Sequence, residues 1–239
     1  MNSLDSFTGA YGDDFPYALD NELMLNWYPQ RVAALATGTS LLELGVGHGY
    51  SARCFVDRFP RYVVVEGSAK MIDRLRAQEA TRSVEVVHGM FEEFTTEEKF
   101  DIIVMGFVLE HVADPGEILR RYRGCLAPRG SLFVTVPNAE SLHRRLGHEA
   151  GLLDDLMQLG EADRQLGHQR LYTVASLRGA LEQAGYAVRA VEGLFLKPIT
   201  TAQIQALRLP EPVLHAMLKV GVRYPELSAG ILMQASPAS

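Results

Sequence analysis

The nine residues Leu41 to Gly49, LLELGVGHG, place Gly45, Gly47 and Gly49 where a short apolar run gives way to a helical pattern. Glycine at such a junction lets backbone approach a ligand with no Cβ in the way, and the amides of the next helix can face an anion. About twenty residues on, the run Val63 to Val65 ends in Glu66, whose carboxylate can accept both hydroxyl protons of a ribose. Together these residues describe a pocket for a nucleoside-bearing cofactor. The glycine turn alone would serve an NAD-dependent oxidoreductase as well.

A second group of residues could move a proton or hold an acceptor. His111 and His168 are general-base candidates, since imidazole titrates near neutral pH. His111 follows a predicted strand end and is expected closer to the reacting centre. The bland readings are packing in a strand-to-helix turn for His111 and fixing the turn before Thr173 for His168. His143, His148 and His215 are expected at the surface. Arg170 and Tyr172 could anchor an acceptor oxygen, although Tyr172 reads equally well as core. Lys197 and Tyr224 flank an insertion and could face the acceptor from the other side.

These residues need a scaffold, and the chain supplies an alternating one. From Leu41 onward short β-rich runs alternate with amphipathic helical stretches, the signature of a parallel sheet with crossover helices. Strands are expected at Ser40 to Leu44, Tyr62 to Glu66, Val84 to His88, Asp101 to Met105 and Ser131 to Val136. Helices are expected near Ser51 to Arg58, Ala69 to Ala80 and Pro115 to Leu126, the last with Asp114 as N-cap and a closing turn at Pro128 to Gly130. The polar segment 138–169 breaks this rhythm as an insertion above the sheet. Helix Thr173 to Ala184 leads to strand Ala187 to Leu196, a second insertion covers 197–225, and strand Ala229 to Ala235 closes the chain.

Before the sheet, residues 1–36 read as a helical flap. Tyr11 to Tyr28 is aromatic-rich, with a short helix at Asp20 to Trp27 and a new turn at Pro29. It either packs across the sheet edge or brings Tyr11 or Tyr17 over a bound ligand.

The composition excludes several classes. The 239 residues are 47% hydrophobic and 22% charged with a net charge of −6, within the range of a globular α/β domain. No apolar stretch approaches the roughly 20 residues that span a bilayer, and the first residues lack a signal pattern, so a cytoplasmic protein is expected. Arg120, Arg121 and Arg123 cluster on one helix without the larger basic excess that nucleic-acid binding requires. Cys54 and Cys125 sit among apolar residues and read as small buried side chains.

From Leu41 to about Ala235 the sequence resembles the class I S-adenosylmethionine (SAM)-dependent methyltransferases. Glu43 with Gly45, Gly47 and Gly49 matches their acidic, glycine-rich first motif, and Glu66 their ribose-binding position. The resemblance implies one domain built on a Rossmann-like α/β sheet of about seven strands. The sheet is mostly parallel with an antiparallel last strand, helices cover both faces, and helical insertions form lids. SAM is the implied cofactor, with Gly67, Ser68 and Met71 lining the adenine side. His88 to Phe94 looks like the adenine turn, with Met90 in place of the usual acidic residue, leaving backbone of Met90 and Phe91 plus apolar contact. Phe100 to Pro115 resembles the segment beneath the methionine arm, with Gly106 and Phe107 nearest, and Tyr11, Tyr17 or Phe107 near the sulfonium. Gly167 to Thr173, GHQRLYT, matches a turn of a subgroup acting on sugars, glycans and secondary metabolites.

The implied function is methyl transfer to a hydroxyl or amine of a small molecule by a monomer or homodimer. The alternatives are a SAM-binding regulator without turnover and the NAD-dependent oxidoreductase. In some relatives the Leu109 to His111 string belongs to a metal site that needs a carboxylate three residues before the glutamate. Phe107 stands there in this chain, so no metal is expected.

Overall fold

A computed structural model describes residues 17–238. Seven strands form one sheet in the order β3-β2-β1-β4-β5-β7-β6. They are β1 (Ser40–Leu44), β2 (Arg61–Glu66), β3 (Glu85–His88), β4 (Phe100–Gly106), β5 (Leu126–Pro137), β6 (Tyr186–Leu194) and β7 (Gly230–Pro237). β1 to β5 pair in parallel, and β7 runs antiparallel to both of its neighbours, β5 and β6. This is the Rossmann-like methyltransferase arrangement. The central strands are buried on both faces, hence their unbroken apolar runs, such as Leu41–Leu42 and Val63–Val65.

Side chains alternate along each strand between two apolar layers. On one face Leu42, Val65, Ile103 and Val134 pack against α4 (Pro115–Arg123) and α7 (Val174–Gln183), through residues such as Leu119 and Leu177. On the other, Leu41, Val64, Ile102 and Phe133 meet α1 (Ala18–Leu35), α2 (Tyr50–Phe55) and α3 (Ala69–Ala77), together with the helices of the second insertion. Asp114 caps α4 by accepting the Glu117 N–H at 2.9 Å, and Thr173 caps α7 through the Ser176 N–H at 3.0 Å. Both insertions carry helices: α5 (Leu142–Glu149) and α6 (Glu161–Gln165) in the first, α8 (Thr201–Leu207) and α9 (Glu211–Gly221) in the second. Asn138 ties them together, its amide donating to the carbonyls of Pro225, Glu226 and Ser228 at 3.1, 3.1 and 2.9 Å.

Two local expectations are corrected. The turn expected at Pro29 does not form, and α1 continues to Leu35 with Pro29 inside it. An interior proline costs about 3 kcal/mol, and burial of Met24, Tyr28, Pro29 and Val32 along one helix face offsets that cost. Arg31 anchors the later turn by donating to both carboxylate oxygens of Glu192 on β6, at 2.8 and 2.7 Å. The turn expected at Pro128 to Gly130 lies inside β5 instead. Phe100 pairs with Leu126 and Ile102 with Ser131, so extra residues of β5 bulge out while pairing resumes on both sides. Accordingly α4 stops at Arg123 rather than reaching Leu126.

Candidate active site

The strand order reverses between β1 and β4, and open α/β sheets bind ligands at such a switch point, beyond the carboxyl ends of the strands. A cavity of about 540 Å³ lies there. Its floor is the glycine turn. Gly45, Gly47 and Gly49 adopt φ of 71°, 45° and 76°, a left-handed run that side chains resist. Gly45 and Gly47 line the cavity; Gly49 does not, and serves as N-cap of α2.

Glu66 ends β2 and faces the same cavity at 7% exposure. One carboxylate oxygen accepts the Val46 N–H at 3.0 Å and the other the Ser68 N–H at 2.7 Å, with the Gly67 N–H as a further backbone donor; the roughly four lone-pair sites of a carboxylate still leave room for a ligand. Burial pushes its pKa up while these backbone donors pull it back. Gly67, Ser68, Met71, Met90 and Phe91 complete this end of the cavity. The Gly67 carbonyl approaches His88 Nε2 at 3.2 Å, and Tyr122 donates to the Phe91 carbonyl at 3.0 Å, so the β2 and β3 turns are fixed to neighbours.

Glu43 shares the sequence motif but not the cavity. Its carboxylate lies fully buried beneath the turn, accepting from the hydroxyls of Tyr62 and Tyr28, the latter at 3.4 Å. Its side chain alternates to the sheet face that packs α1, away from the ligand side of the turn. Burial raises its pKa to about 7 against the pull of Ser51 and the two tyrosines. It supports the floor rather than forming it.

Gly106 and Phe107 form the middle of the cavity. A Cβ on Gly106 would stand 2.4 Å from the Tyr28 hydroxyl, so glycine is required there. Phe107 has φ of 56°, held by its N–H donating to the Thr135 carbonyl at 2.9 Å, and its ring meets Tyr28 edge-on at 5.9 Å.

The far end is polar. His111 and His168 meet edge-to-face with ring centroids 4.8 Å apart. Glu110 lies beside them, and one donor atom from each of the three falls within 4.8 Å of the others. Both Glu110 oxygens are buried, and among the described residues neither has a hydrogen-bond partner. Burial raises its pKa to about 7. Burial likewise lowers His111 to about 4, with neighbouring His168 adding to the effect. His168 Nδ1 approaches Asp163 Oδ1 at 3.3 Å without hydrogen-bond geometry, and Asp163 is itself held by the Gly160 N–H at 2.7 Å.

Tyr17 and Lys197 also line the cavity. The Lys197 ammonium is buried, paired with Asp20 and donating to Thr201 Oγ1 at 2.8 Å, with the Tyr17 ring 5.8 Å away. Tyr11 lies outside the described residues.

Three acceptor-side expectations are corrected. Arg170 does not face the cavity: its guanidinium donates to the carbonyls of Leu109, Val112 and Ala113, two of them at 3.0 and 3.1 Å, and so clamps the loop that carries Glu110 and His111. Tyr172 is core, its hydroxyl 3.4 Å from the Leu109 carbonyl. Tyr224 is 49% exposed and outside the cavity, because the turn after α9 points it to solvent. Sequence reasoning also missed cavity residues. His143 is no surface histidine: it lines the cavity, bonds Ser141 at 3.1 Å, and burial lowers its pKa to about 3. Asp20 and Asp163 carry no local signal beyond charge; α1 and the first insertion bring them to the cavity, beside Glu110 from the loop after β4.

The profile of the methyltransferase domain family matches residues 18–191, and the chain belongs to that family. Its cofactor is S-adenosylmethionine, and the cradle of side-chain-free backbone beside a pre-aligned Glu66 carboxylate fits that molecule. Ubiquinone biosynthesis O-methyltransferase of Acinetobacter baumannii is 26% identical over 210 residues, 84% of this chain and 86% of the relative. Cypemycin N-terminal methyltransferase of a Streptomyces species is 25% identical over 181 residues, 72% of this chain and 70% of the relative. Among solved structures, a SAM-dependent methyltransferase of Thermotoga maritima, described as a possible histamine N-methyltransferase, superposes with a TM-score of 0.63. It is 20% identical and covers 92% of each chain. Among the described residues no helix is long and apolar enough to cross a membrane.

Proposed function

We propose that the chain transfers the methyl group of SAM to a hydroxyl or amine of a small polar molecule, such as a sugar, glycan precursor or secondary metabolite. A single observation carries this reading: one continuous cavity runs from the glycine turn and Glu66 to a polar end lined by Glu110, His111, His143, His168 and Lys197. Glu66 would hold the ribose hydroxyls; Gly45, Gly47, Gly67, Ser68, Met71, Met90 and Phe91 would surround the nucleoside; Gly106, Phe107 and Tyr17 would flank the methionine arm. SAM brings a methyl group already activated by its sulfonium, so the protein's task is to bind, orient and exclude water. Orientation of two reactants can supply roughly 7–11 kcal/mol of the barrier.

His111 and His168 stand where an acceptor proton would leave, and a neutral imidazole can accept it. The relatives act on different atoms, one named for O-methylation and one for an N-terminus, so the choice between oxygen and nitrogen rests with the acceptor. The working form is a cytoplasmic monomer or homodimer. The test is thermal stabilisation by SAM, S-adenosylhomocysteine and NAD, followed by mass spectrometry of a small-molecule panel incubated with methyl-deuterated SAM. Stabilisation by SAM and its homocysteine product, with a labelled product, is expected. Stabilisation by NAD alone, or tight SAM binding with no labelled product from hydroxyl or amine acceptors, overturns it.

A further inference from the structure

We propose that Glu110 takes up the proton released by methyl transfer, remaining a carboxylate while the sulfonium is bound and becoming a carboxylic acid once the sulfonium has turned into a thioether. The inference rests on the proposed use of the cavity by SAM and adds a residue that sequence reading left aside.

Glu110 lies four residues beyond Gly106, the end of β4, and lines the same cavity as Gly45 and Phe107. Its side chain is fully buried, and among the described residues neither oxygen has a hydrogen-bond partner. An unpartnered buried charge costs several kcal/mol, so such a group is neutral unless a cation arrives. Its position is fixed from outside: Gln169 donates its backbone N–H to the Glu110 carbonyl at 2.8 Å and its side-chain amide to the His111 carbonyl at 2.6 Å, while Arg170 holds the carbonyls on either side.

The groups around it agree with this role. His111 faces it from its own loop; Asp163, His168, Arg170 and Tyr172 face it from the first insertion and the segment after it. None of them neutralises it. Arg170 is committed to backbone carbonyls, and His168 stands against Asp163. Burial leaves Glu110 poised at about 7, and His111, lowered to about 4, can pass a proton on but not keep it.

The step balances. The acceptor lone pair forms the new bond to the methyl carbon, and the electron pair of the breaking C–S bond stays on sulfur. The proton on the acceptor atom moves to a Glu110 oxygen, directly or through the His111 or His168 ring. A sulfonium and a carboxylate become a thioether and a carboxylic acid, so two opposite charges vanish together beside a fully buried side chain. Low dielectric favours that loss of charge.

The decisive measurement needs no acceptor. Binding of SAM and of S-adenosylhomocysteine is followed by calorimetry at about pH 6.5, near the poise of a raised carboxyl, in chelator-treated buffers of different ionisation enthalpy. Both ligands carry the same amine and carboxylate, and only SAM carries the sulfonium. Proton release on SAM binding, little or none with S-adenosylhomocysteine, and loss of the release in Glu110→Gln are expected. Glu43→Gln should keep the release, because Glu43, the other carboxyl raised to about 7, lies outside the cavity. Equal release with both ligands, or release unchanged in Glu110→Gln, overturns the inference. If Glu110→Gln does not fold, the wild-type comparison decides: SAM affinity should rise severalfold between about pH 6 and 7 while that of S-adenosylhomocysteine stays flat, and parallel pH profiles overturn it. Failure of the wild type to bind SAM would instead remove the proposed function itself.

Discussion

Glu66 Oε2 accepts the backbone N–H of Val46 at 3.0 Å, so the acidic end of the second strand is locked to the glycine turn that follows the first. This bond aligns the carboxylate before any ligand arrives. Glu66→Ala should weaken SAM binding by about 1.5–3 kcal/mol, the scale of a hydrogen bond to a charged group, read by calorimetry. Unchanged affinity would place the ribose elsewhere.

Gly47 has φ of 45° on the cavity floor. Gly47→Leu should abolish SAM binding while the circular dichroism spectrum stays that of the folded chain, because the added side chain fills ligand space rather than core.

Where the acceptor proton passes through an imidazole, His111→Ala or His168→Ala should lower turnover by about 10²–10⁴-fold, the usual contribution of a proton-transfer group, with SAM affinity little changed. Normal turnover in either variant eliminates that histidine from proton transfer. Arg170→Ala should act differently, since Arg170 holds the Leu109–Ala113 carbonyls: it should lower both turnover and melting temperature.

Lys197 and Asp20 join the second insertion to α1 as a buried pair. Lys197→Met alone leaves an uncompensated buried carboxylate and should cost about 3–5 kcal/mol in urea unfolding, whereas Lys197→Met with Asp20→Asn should recover much of that loss. A loss no larger than that of a surface substitution would show that the pair is solvated.

Among the described residues, four buried groups with large shifts dominate the pH dependence of stability. Below their ordinary value of 6.5, His111 and His143 stay neutral in the folded chain, down to about 4 and about 3, while the unfolded chain takes up their protons, so they cost stability as pH falls. Glu43 and Glu110, raised from 4.5 to about 7, hold protons in the folded chain that the unfolded chain has lost, and they cost stability as pH rises through that window. Between about pH 4.5 and 6.5 the two pairs oppose each other, so the ligand-free chain should show a nearly flat profile. His143→Gln should tilt it so that stability falls as pH rises. Glu43→Gln should tilt it the other way, by up to about 1.4 kcal/mol per pH unit. Denaturant melts across this range check both signs.

The sequence by itself determined the sheet and much of the lining at the glycine-turn end of the cavity, though not that Glu43 and Gly49 lie outside it. Buried parallel strands demand continuous apolar runs, and a turn that brings backbone to a ligand demands glycine, so both leave residue types at fixed spacing. Gly45, Gly47, Glu66, Gly106 and Phe107 could therefore be placed before any coordinates. Only the tertiary structure decided the polar end of the cavity. Pro29 stays helical because the face around it is buried, and Arg170 turns from a substrate ligand into a loop clamp because three carbonyls surround it. Glu110 is left without a hydrogen-bond partner among the described residues by the way the chain folds around it. Such outcomes depend on contacts between residues far apart in the chain, about 60 positions between Glu110 and the Gln169 that clamps it, and no local pattern encodes them.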